Sequence, residues 1–456
     1  MGGKRGSLSR RLPACPREPR HEQLNPGGER SRSVVIHGHF YQPPREDPWT
    51  GIVPEEISAA PDHDWNTRIS RECYQPLAEA GAFEWLSFDV GATLFRWLER
   101  EAPNVLDAAV RGDAASQARL GHGNAMAQPY HHIILPLASP SDRRTEVRWG
   151  IEDFRRRFGR DPVGMWLPET AVDRATLQTL AEEGLGFTVL APHQVAGSPA
   201  DGLAGRVPLD DGREIAVFVY DGKLSHGVAF GELLKSEEAW LGRLLDDSQP
   251  PRLRAIATDA ETFGHHHRGA ERTLMGVVDG LRNAAGTRVE NFASCLARHG
   301  ADIEVEIVEP SSWSCEHGVE RWRAECGCKM APEVVSQQAW RPVLRDALVW
   351  LAGELPIADA AAAPMARGLA RDRAAMFTSC AWFFDDIGGL EPIQVMSYAA
   401  HAIDIVAATD RERAERLEQT LLTRLADARS NDPDIGDAAW LYRSRIRGSH
   451  PLGSPP

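Results

Sequence analysis

No apolar run in this 456-residue chain approaches the length of a membrane span, so no helical membrane protein is expected. The glycine-rich phosphate loops of P-loop and dinucleotide-binding folds are missing too, which argues against nucleotide chemistry. Residues 1–32 are rich in Arg, Pro and Gly but hold no apolar core. They do not form a secretory signal and read as a disordered leader. An excess of basic residues is also lacking. There are 51 Lys and Arg against 65 Asp and Glu, and the net charge of -14 argues against a nucleic-acid partner. The seven cysteines are odd in number and mostly scattered, which suits a reducing cytoplasmic setting better than a disulfide framework. No internal repeat is present.

What remains is an ordinary globular composition, 42% hydrophobic and 25% charged, long enough for two or three domains or one large barrel with an appendage. The first strand is expected at Ser33-Val-Val-Ile-His37, a β-branched run bounded by Gly38. Apolar runs recur at Phe83 to Phe88, Pro162 to Leu167, Gly186 to Ala191, Ile215 to Tyr220 and Arg254 to Thr258. Amphipathic helical stretches lie between several of them, at Asp142 to Phe158, Val172 to Gly184 and Phe230 to Asp246. Strands alternating with helices predict parallel βα units, and six or seven of them suffice for a closed or nearly closed barrel.

After about residue 290 the pattern turns helical, at Gln337 to Glu354, Ala358 to Phe377, Ile393 to Ala408 and Arg411 to Ala428. The expected organisation is a leader (1–32), an α/β barrel (33–295), a Cys- and Trp-bearing loop region (296–335), an all-helical C-terminal domain (336–446) and an unstructured tail (447–456).

Two of the apolar runs end abruptly in a carboxylate. Gly164-Met-Trp-Leu-Pro-Glu-Thr170 delivers Glu169, and Ala257-Thr-Asp-Ala-Glu-Thr-Phe-Gly-His-His266 delivers Asp259. In an α/β barrel the carboxyl ends of the strands carry the chemistry, and two acids brought there from different strands are what glycosidic cleavage needs. Trp166 and Pro168 make a rigid, aromatic-lined strand end before Glu169. Glu261, two residues after Asp259, is expected either to orient His265 or to hold the proton balance of Asp259, since clustered carboxylates raise one another's pKa.

Other dense polar patches accompany these acids. His37-Gly-His39-Phe-Tyr-Gln-Pro-Pro44 follows the first strand, and two His at i and i+2 face one side, as metal ligands or as hydrogen-bond donors to a substrate. Gly121-His-Gly-Asn124 and Gln128-Pro-Tyr-His-His132 read as a pocket wall. In Ser87-Phe-Asp-Val-Gly-Ala-Thr, Asp89 reads as a helix cap.

In chain order, His37-Gly-His-Phe-Tyr-Gln-Pro, Gly121-His-Gly-Asn with Tyr130-His-His, Trp166-Leu-Pro-Glu169 and Asp259-Ala-Glu-Thr-Phe-Gly-His265 resemble the first four sequence motifs of glycoside hydrolase family 57. The chain is most similar to the subgroup that opens with His-Gly-His-Phe-Tyr-Gln-Pro-Pro and carries a downstream Cys-rich loop. The resemblance covers roughly residues 33 to 400. It implies a distorted (β/α)7-type barrel, an oligo- or polysaccharide substrate of the α-glucan class, a retaining mechanism and no cofactor for catalysis. It also implies Glu169 as nucleophile and Asp259 as acid/base. His37, His39 and His122 are then expected to hold the sugar, with Gln42, Glu261 and His265 close by and Trp166 offering an apolar face to a pyranose ring.

The segment from Ser311 through Cys315-x-His317 to Cys326-x-Cys328 supplies four candidate zinc ligands in one loop, for a structural site. Trp313, His317 and Trp322 are alternatively a sugar platform over the barrel mouth, as the resemblance implies. Trp382 and Asp385, in the aromatic patch after Phe377, are expected to reach the pocket from the helical domain. The chain ends soon after Arg447, short for that subgroup, so part of the C-terminal domain is expected to be missing, which bears on acceptor-side binding and on activity. The rival readings are a metal-dependent carbohydrate deacetylase and a non-catalytic glucan-binding protein. Oligomeric state, linkage preference and the choice between hydrolysis and transfer are not legible here.

Overall fold

A computed structural model describes residues 32–246, 251–334, 336–355 and 364–455. The leader up to residue 31 and the start of the helix expected from Ala358 lie outside the described residues.

The strand β1 (Arg32–Phe40) runs through the centre of the barrel wall, and its Val-Val-Ile run is buried on both faces, as a parallel strand covered by helices requires. It pairs in parallel with β2 (Ser87–Val90), which in turn pairs with β3 (Ala125–Met126). Single parallel bridges, Ala127 to Met165 and Gly164 to Phe187, carry the wall on to β4 (Phe187–Leu190). After β5 (Val195–Ala196) and β6 (Gly205–Pro208), β7 (Glu214–Val219) pairs in parallel with β4, with β6 antiparallel on its other edge. The wall closes where the Asp221 backbone donates to the Ala255 carbonyl, 2.7 Å, in β8 (Leu253–Asp259). β8 pairs in parallel with β1, as does the short β9 (Thr287–Val289).

Helices such as Ala92–Glu101, Pro140–Phe158, Arg174–Glu182 and Ala270–Asn283 cover the outside. A core of Leu, Val and Phe side chains separates them from the strands, while Val35, Trp166, Val189, Phe218, Ala257 and Phe292 fill the barrel itself. This is the distorted α/β barrel that the alternation predicted. The expected strand Pro162 to Leu167 is reduced to two bridge positions. Prolines 162 and 168 bracket it without an N–H to give, and a side chain at Gly164 would run into the Phe187 ring at 2.3 Å. The helix expected from Phe230 starts only at Glu237, where the Ser236 side chain caps it by accepting from the Ala239 N–H.

A second, helical core follows, built from Trp340–Glu354, Pro364–Ala375, Leu390–Ala407 and Arg411–Leu425. Leu390–Ala407 is apolar nearly all round because its neighbours surround it. The expected unstructured tail is instead ordered through residue 455. Arg447 pairs with Asp404 (2.9 Å) and Glu418, and His450 bonds Asp47 (2.8 Å) while stacking on Trp49 at 4.1 Å. The tail thus fastens the helical domain to the loop after β1.

Candidate active site

At the carboxyl end of the barrel three strands place an acid, an imidazole and an acid in one row. His39 is the register partner of both Asp89 on β2 and Asp259 on β8. One step further down β1, His37 points to the same side, as strand alternation demands. Both imidazoles bond Asp89: His37 Nε2 to Oδ1 at 2.9 Å and His39 Nδ1 to Oδ2 at 2.8 Å. Gln128 donates to the same carboxylate. Asp89 is therefore the buried anchor of the row and not a helix cap. The helix begins at Ala92 with Gly91 before it, two residues past Asp89.

The charges along this row follow from burial and contact. Burial disfavours an ionised Asp89, but the imidazole charge of His39 and the hydrogen bonds from both His residues bring its pKa down to about 2. Burial likewise opposes a charged His39, yet Asp89, with Asp259 and Glu261 beyond, raises it to about 9. His37 is pushed down by burial, against the pull of Asp89, and the chemistry leaves it neutral. His132, buried beside the charged His39, is lowered well below the ordinary imidazole value. It accepts from His39 across 3.2 Å and passes its own N–H to Ser379 Oγ at 2.7 Å. Tyr41 stacks on His132 at 3.6 Å.

Asp259 closes the row at the last residue of β8. Its side chain opens to solvent, and among the described residues it receives no hydrogen bond. The surrounding protein withdraws water and pushes its pKa up to about 7. His39 opposes that rise, while Glu261, Glu169 and Asp89 reinforce it, and the solvent contact tempers all of them. The buried Tyr220 phenol is raised by burial and by the charge of the Asp259 carboxylate.

Glu169 is held differently. It sits in the tight turn Pro168–Thr170, and both Glu169 (φ 58°) and Thr170 (φ 49°) are left-handed. Such residues cost roughly 1–3 kcal/mol each and persist only where neighbours enforce them. Here residues 311–314 run antiparallel to the turn: Val172 and Ser311 exchange backbone bonds at 2.9 and 3.1 Å, and the Trp313 N–H donates to the Glu169 carbonyl at 3.0 Å. Gln194 accepts from Thr170 Oγ1 (2.8 Å) and donates to its carbonyl (2.9 Å). The carboxylate accepts from Trp313 Nε1 at 3.0 Å and Ser314 Oγ at 2.6 Å, both on Oε2. Among the described residues no hydrogen bond engages Oε1.

Of the expected substrate-binding residues, His39, Gln42, Glu261 and Trp313 join the two acids. Glu261 accepts from Tyr74 and from Gln42 Nε2 at 3.2 Å, and burial raises its pKa against the Tyr74 bond. The side chain of Glu261 does not orient His265, whose partner is Glu72 at 2.6 Å.

Several expectations are corrected. His37 and Trp166 lie beneath the row, fully buried and stacked at 4.6 Å, so neither presents a face to a sugar. His122 precedes β3, away from the strand ends, with its carbonyl bonded by Asn291. Trp322 and Trp382 are core residues whose indole N–H groups donate to the Ser379 and Arg341 carbonyls. Asp385 accepts from the backbone of Met330 and Ala331 and braces the Cys loop. His317 belongs to a cluster with Cys315, Cys326 and Cys328, whose ligand atoms all lie within 4.8 Å of one another. Within the expected pocket wall, Gln128 and His132 reach the site, whereas His131 bonds the buried Glu146. Sequence reasoning missed Asp89, Ser314, Ser379 and Tyr74. Alternation offered a signal for Asp89, since Ser87 and Asp89 share the inward face of β2.

The model of Glycosyl hydrolase family 57 matches residues 44–279, more than half of the chain, and that of a domain of unknown function (DUF3536) matches residues 367–451. A 4-alpha-glucanotransferase from Thermococcus litoralis is 26% identical over 174 residues, 38% of this chain and 25% of that protein. The match thus spans about a quarter of the length of the curated relative. In fold, the chain is similar to an exo-type maltose-forming amylase from Pyrococcus sp. ST04, with a TM-score of 0.69 and 14% identity over 93% of this chain and 95% of that one. It is also similar to a branching enzyme from Pyrococcus horikoshii, with a TM-score of 0.62 and 14% identity over 86% and 95% of the two chains.

Proposed function

Since the chain belongs to glycosyl hydrolase family 57, we propose that it is a retaining enzyme acting on α-glucans, with Glu169 as nucleophile and Asp259 as acid/base. The His-Gly-His-Phe-Tyr-Gln-Pro-Pro run and the Cys loop support its membership of the subgroup marked by those two features. The observation that carries the reading is the unlike environment of the two acids. Asp259 is raised to about 7 and free of hydrogen bonds, as a proton donor at neutral pH must be. Glu169 is clamped through Oε2 with Oε1 open, as an attacking carboxylate must be.

In the reaction, Asp259 gives its proton to the glycosidic oxygen as the bond to the anomeric carbon breaks, and Glu169 Oε1 bonds that carbon. Water or the hydroxyl of an acceptor sugar then opens the glycosyl-enzyme, and its proton goes to the Asp259 carboxylate. Water gives hydrolysis; a sugar hydroxyl gives transfer or branching. The charged His39 sits between Asp259 and Asp89, and its field keeps the proton of Asp259 transferable. These steps call on carboxyl groups alone, with no cofactor. The partner is an oligo- or polysaccharide, with no nucleic acid, in a cytosolic setting. No helix among the described residues is long and apolar enough to cross a membrane.

Product analysis with linear maltooligosaccharides and amylose, beside Glu169→Ala, tests the reading. New chain lengths or branches that vanish in the variant are expected. A folded protein without turnover on any α-glucan would overturn the substrate class. Activity on acetylated sugars that requires an added divalent metal would instead favour the deacetylase, and saturable glucan binding without turnover the non-catalytic binder.

A further inference from the structure

The Cys loop lies directly behind the donors that hold Glu169. Ser314, which bonds Glu169 Oε2, is followed immediately by Cys315. Cys315 is buried; Cys326 and Cys328 are half-buried; His317 is at the surface. Gly327, at φ +87°, turns the chain so that the two cysteines beside it converge. The approach distances are 3.8 Å between Cys328 and Cys315 Sγ, 4.0 Å between Cys315 and Cys326 Sγ, and 3.6 Å between Cys328 Sγ and His317 Nδ1.

Zinc–sulfur bonds of about 2.3 Å at tetrahedral angles put two sulfurs about 3.8 Å apart, and a zinc–nitrogen bond of about 2.1 Å puts sulfur and nitrogen about 3.6 Å apart. The observed spacings match that pattern. A disulfide, at about 2.05 Å, would use two of the sulfurs and leave the third and the imidazole without a purpose. Four ligands of this kind fill the coordination sphere, which marks a structural and not a catalytic site.

The surroundings fix both arms of the loop. Arg341 donates to the Cys328 carbonyl at 2.9 Å, and Asp385 accepts from the Met330 and Ala331 backbone just beyond. Arg321 donates to the Ser314 carbonyl at 3.0 Å and also holds the Phe383 carbonyl. The 313–317 and 326–328 arms meet directly at the cysteines and the imidazole, and indirectly through the Phe383 carbonyl, to which Arg321 and Arg341 both donate.

We infer that Cys315, His317, Cys326 and Cys328 bind one tetrahedral zinc ion, and that this ion locks the arm from which Trp313 and Ser314 orient Glu169. The second half rests on the reading of Glu169 proposed above; the first does not. Trp313 and Ser314 are thereby positioning residues, and the metal acts on the chemistry only through them.

The test uses the full chain purified without a metal-affinity tag. Elemental analysis is expected to give about one zinc per chain after exhaustive dialysis, and Cys328→Ser and His317→Ala are expected to lower that occupancy. Cobalt replacing zinc is expected to show the intense visible bands of tetrahedral thiolate ligation. A metal-free protein with four reactive groups in the loop, or a Cys–Cys disulfide found by mass mapping, would overturn the site whatever the activity. For the positioning role, zinc removal is expected to speed amide exchange across residues 311–323 and to lower kcat about tenfold or more with KM little changed. Restored zinc, or Cys328→His with zinc, is expected to rescue both. Zinc present but exchange and kcat unchanged on its removal would overturn the coupling to Glu169.

Discussion

The two acids at the barrel mouth are built in opposite ways. Asp259 ends a regular strand, takes no hydrogen bond among the described residues, meets solvent, and owes its character first to the water its surroundings withdraw and then to the charges of its neighbours. Glu169 occupies a left-handed turn, is nearly buried, and owes its character to contacts: two donors on one oxygen and a loop laid against its backbone. An acid that must give up and retake a proton benefits from an environment that sets its pKa and leaves its oxygens free. A nucleophile that must reach one carbon benefits from orientation. The difference teaches that one site can tune through charge on one side and through strain and hydrogen bonds on the other.

This contrast can be broken from either side. Glu169→Ala, which removes the proposed nucleophile, is expected to lower turnover by about 10⁴-fold or more in initial-rate assays on maltooligosaccharides. Asp259→Asn is expected to cost about 10²–10⁴-fold on the same sugars. It should cost much less in forming the glycosyl-enzyme from an aryl glycoside, whose leaving group needs no proton. Equal losses on both substrates would deny Asp259 the acid role. Ser314→Ala removes one of two charge-assisted donors and is expected to lower kcat by about 10- to 150-fold, in line with about 1.5–3 kcal/mol for such bonds. KM should move little.

The smallest effect is a shift along the pH axis. With the protonated Asp259 as the acid proposed above, kcat/KM should fall as pH rises through about 7. His39 is the neighbour that lowers the Asp259 pKa, so His39→Gln should move that limb to higher pH. Linkage gives a second readout. The folded value lies above the reference of 3.8, so the folded chain binds the proton more tightly than the unfolded one. Stability from this group is full below about 4 and is lost as pH rises through about 7. Asp259→Asn should therefore melt higher than the parent above pH 7, and the two should converge in acid.

Much of this was legible in the chain. The β-branched run before His37 and the apolar runs ending at Glu169 and Asp259 announced strands, and the helical character beyond residue 336 was plain from its spacing. Single bridges such as Ala127 to Met165 were not, because two aligned residues leave no periodic signal. The four candidate ligands of the Cys loop were visible by identity, and the fold brings them together. The tryptophans misled for a general reason. An indole serves a sugar face and a core equally well, and only the fold shows that Trp322 and Trp382 satisfy their N–H groups inside the helical domain. Asp89 was misread because a carboxylate near a helix start suggests a cap, whereas strand alternation had already turned it inward toward His37 and His39.

The most direct test of the central claim is to trap the covalent intermediate. The chain would be treated with a slowly released fluorinated α-glucosyl fluoride and analysed by intact mass and peptide mapping. One glycosyl unit on Glu169, absent in Glu169→Gln, is the predicted result. A label on any other carboxylate, or inverted products with no label at all, would contradict the assignment of Glu169 and Asp259.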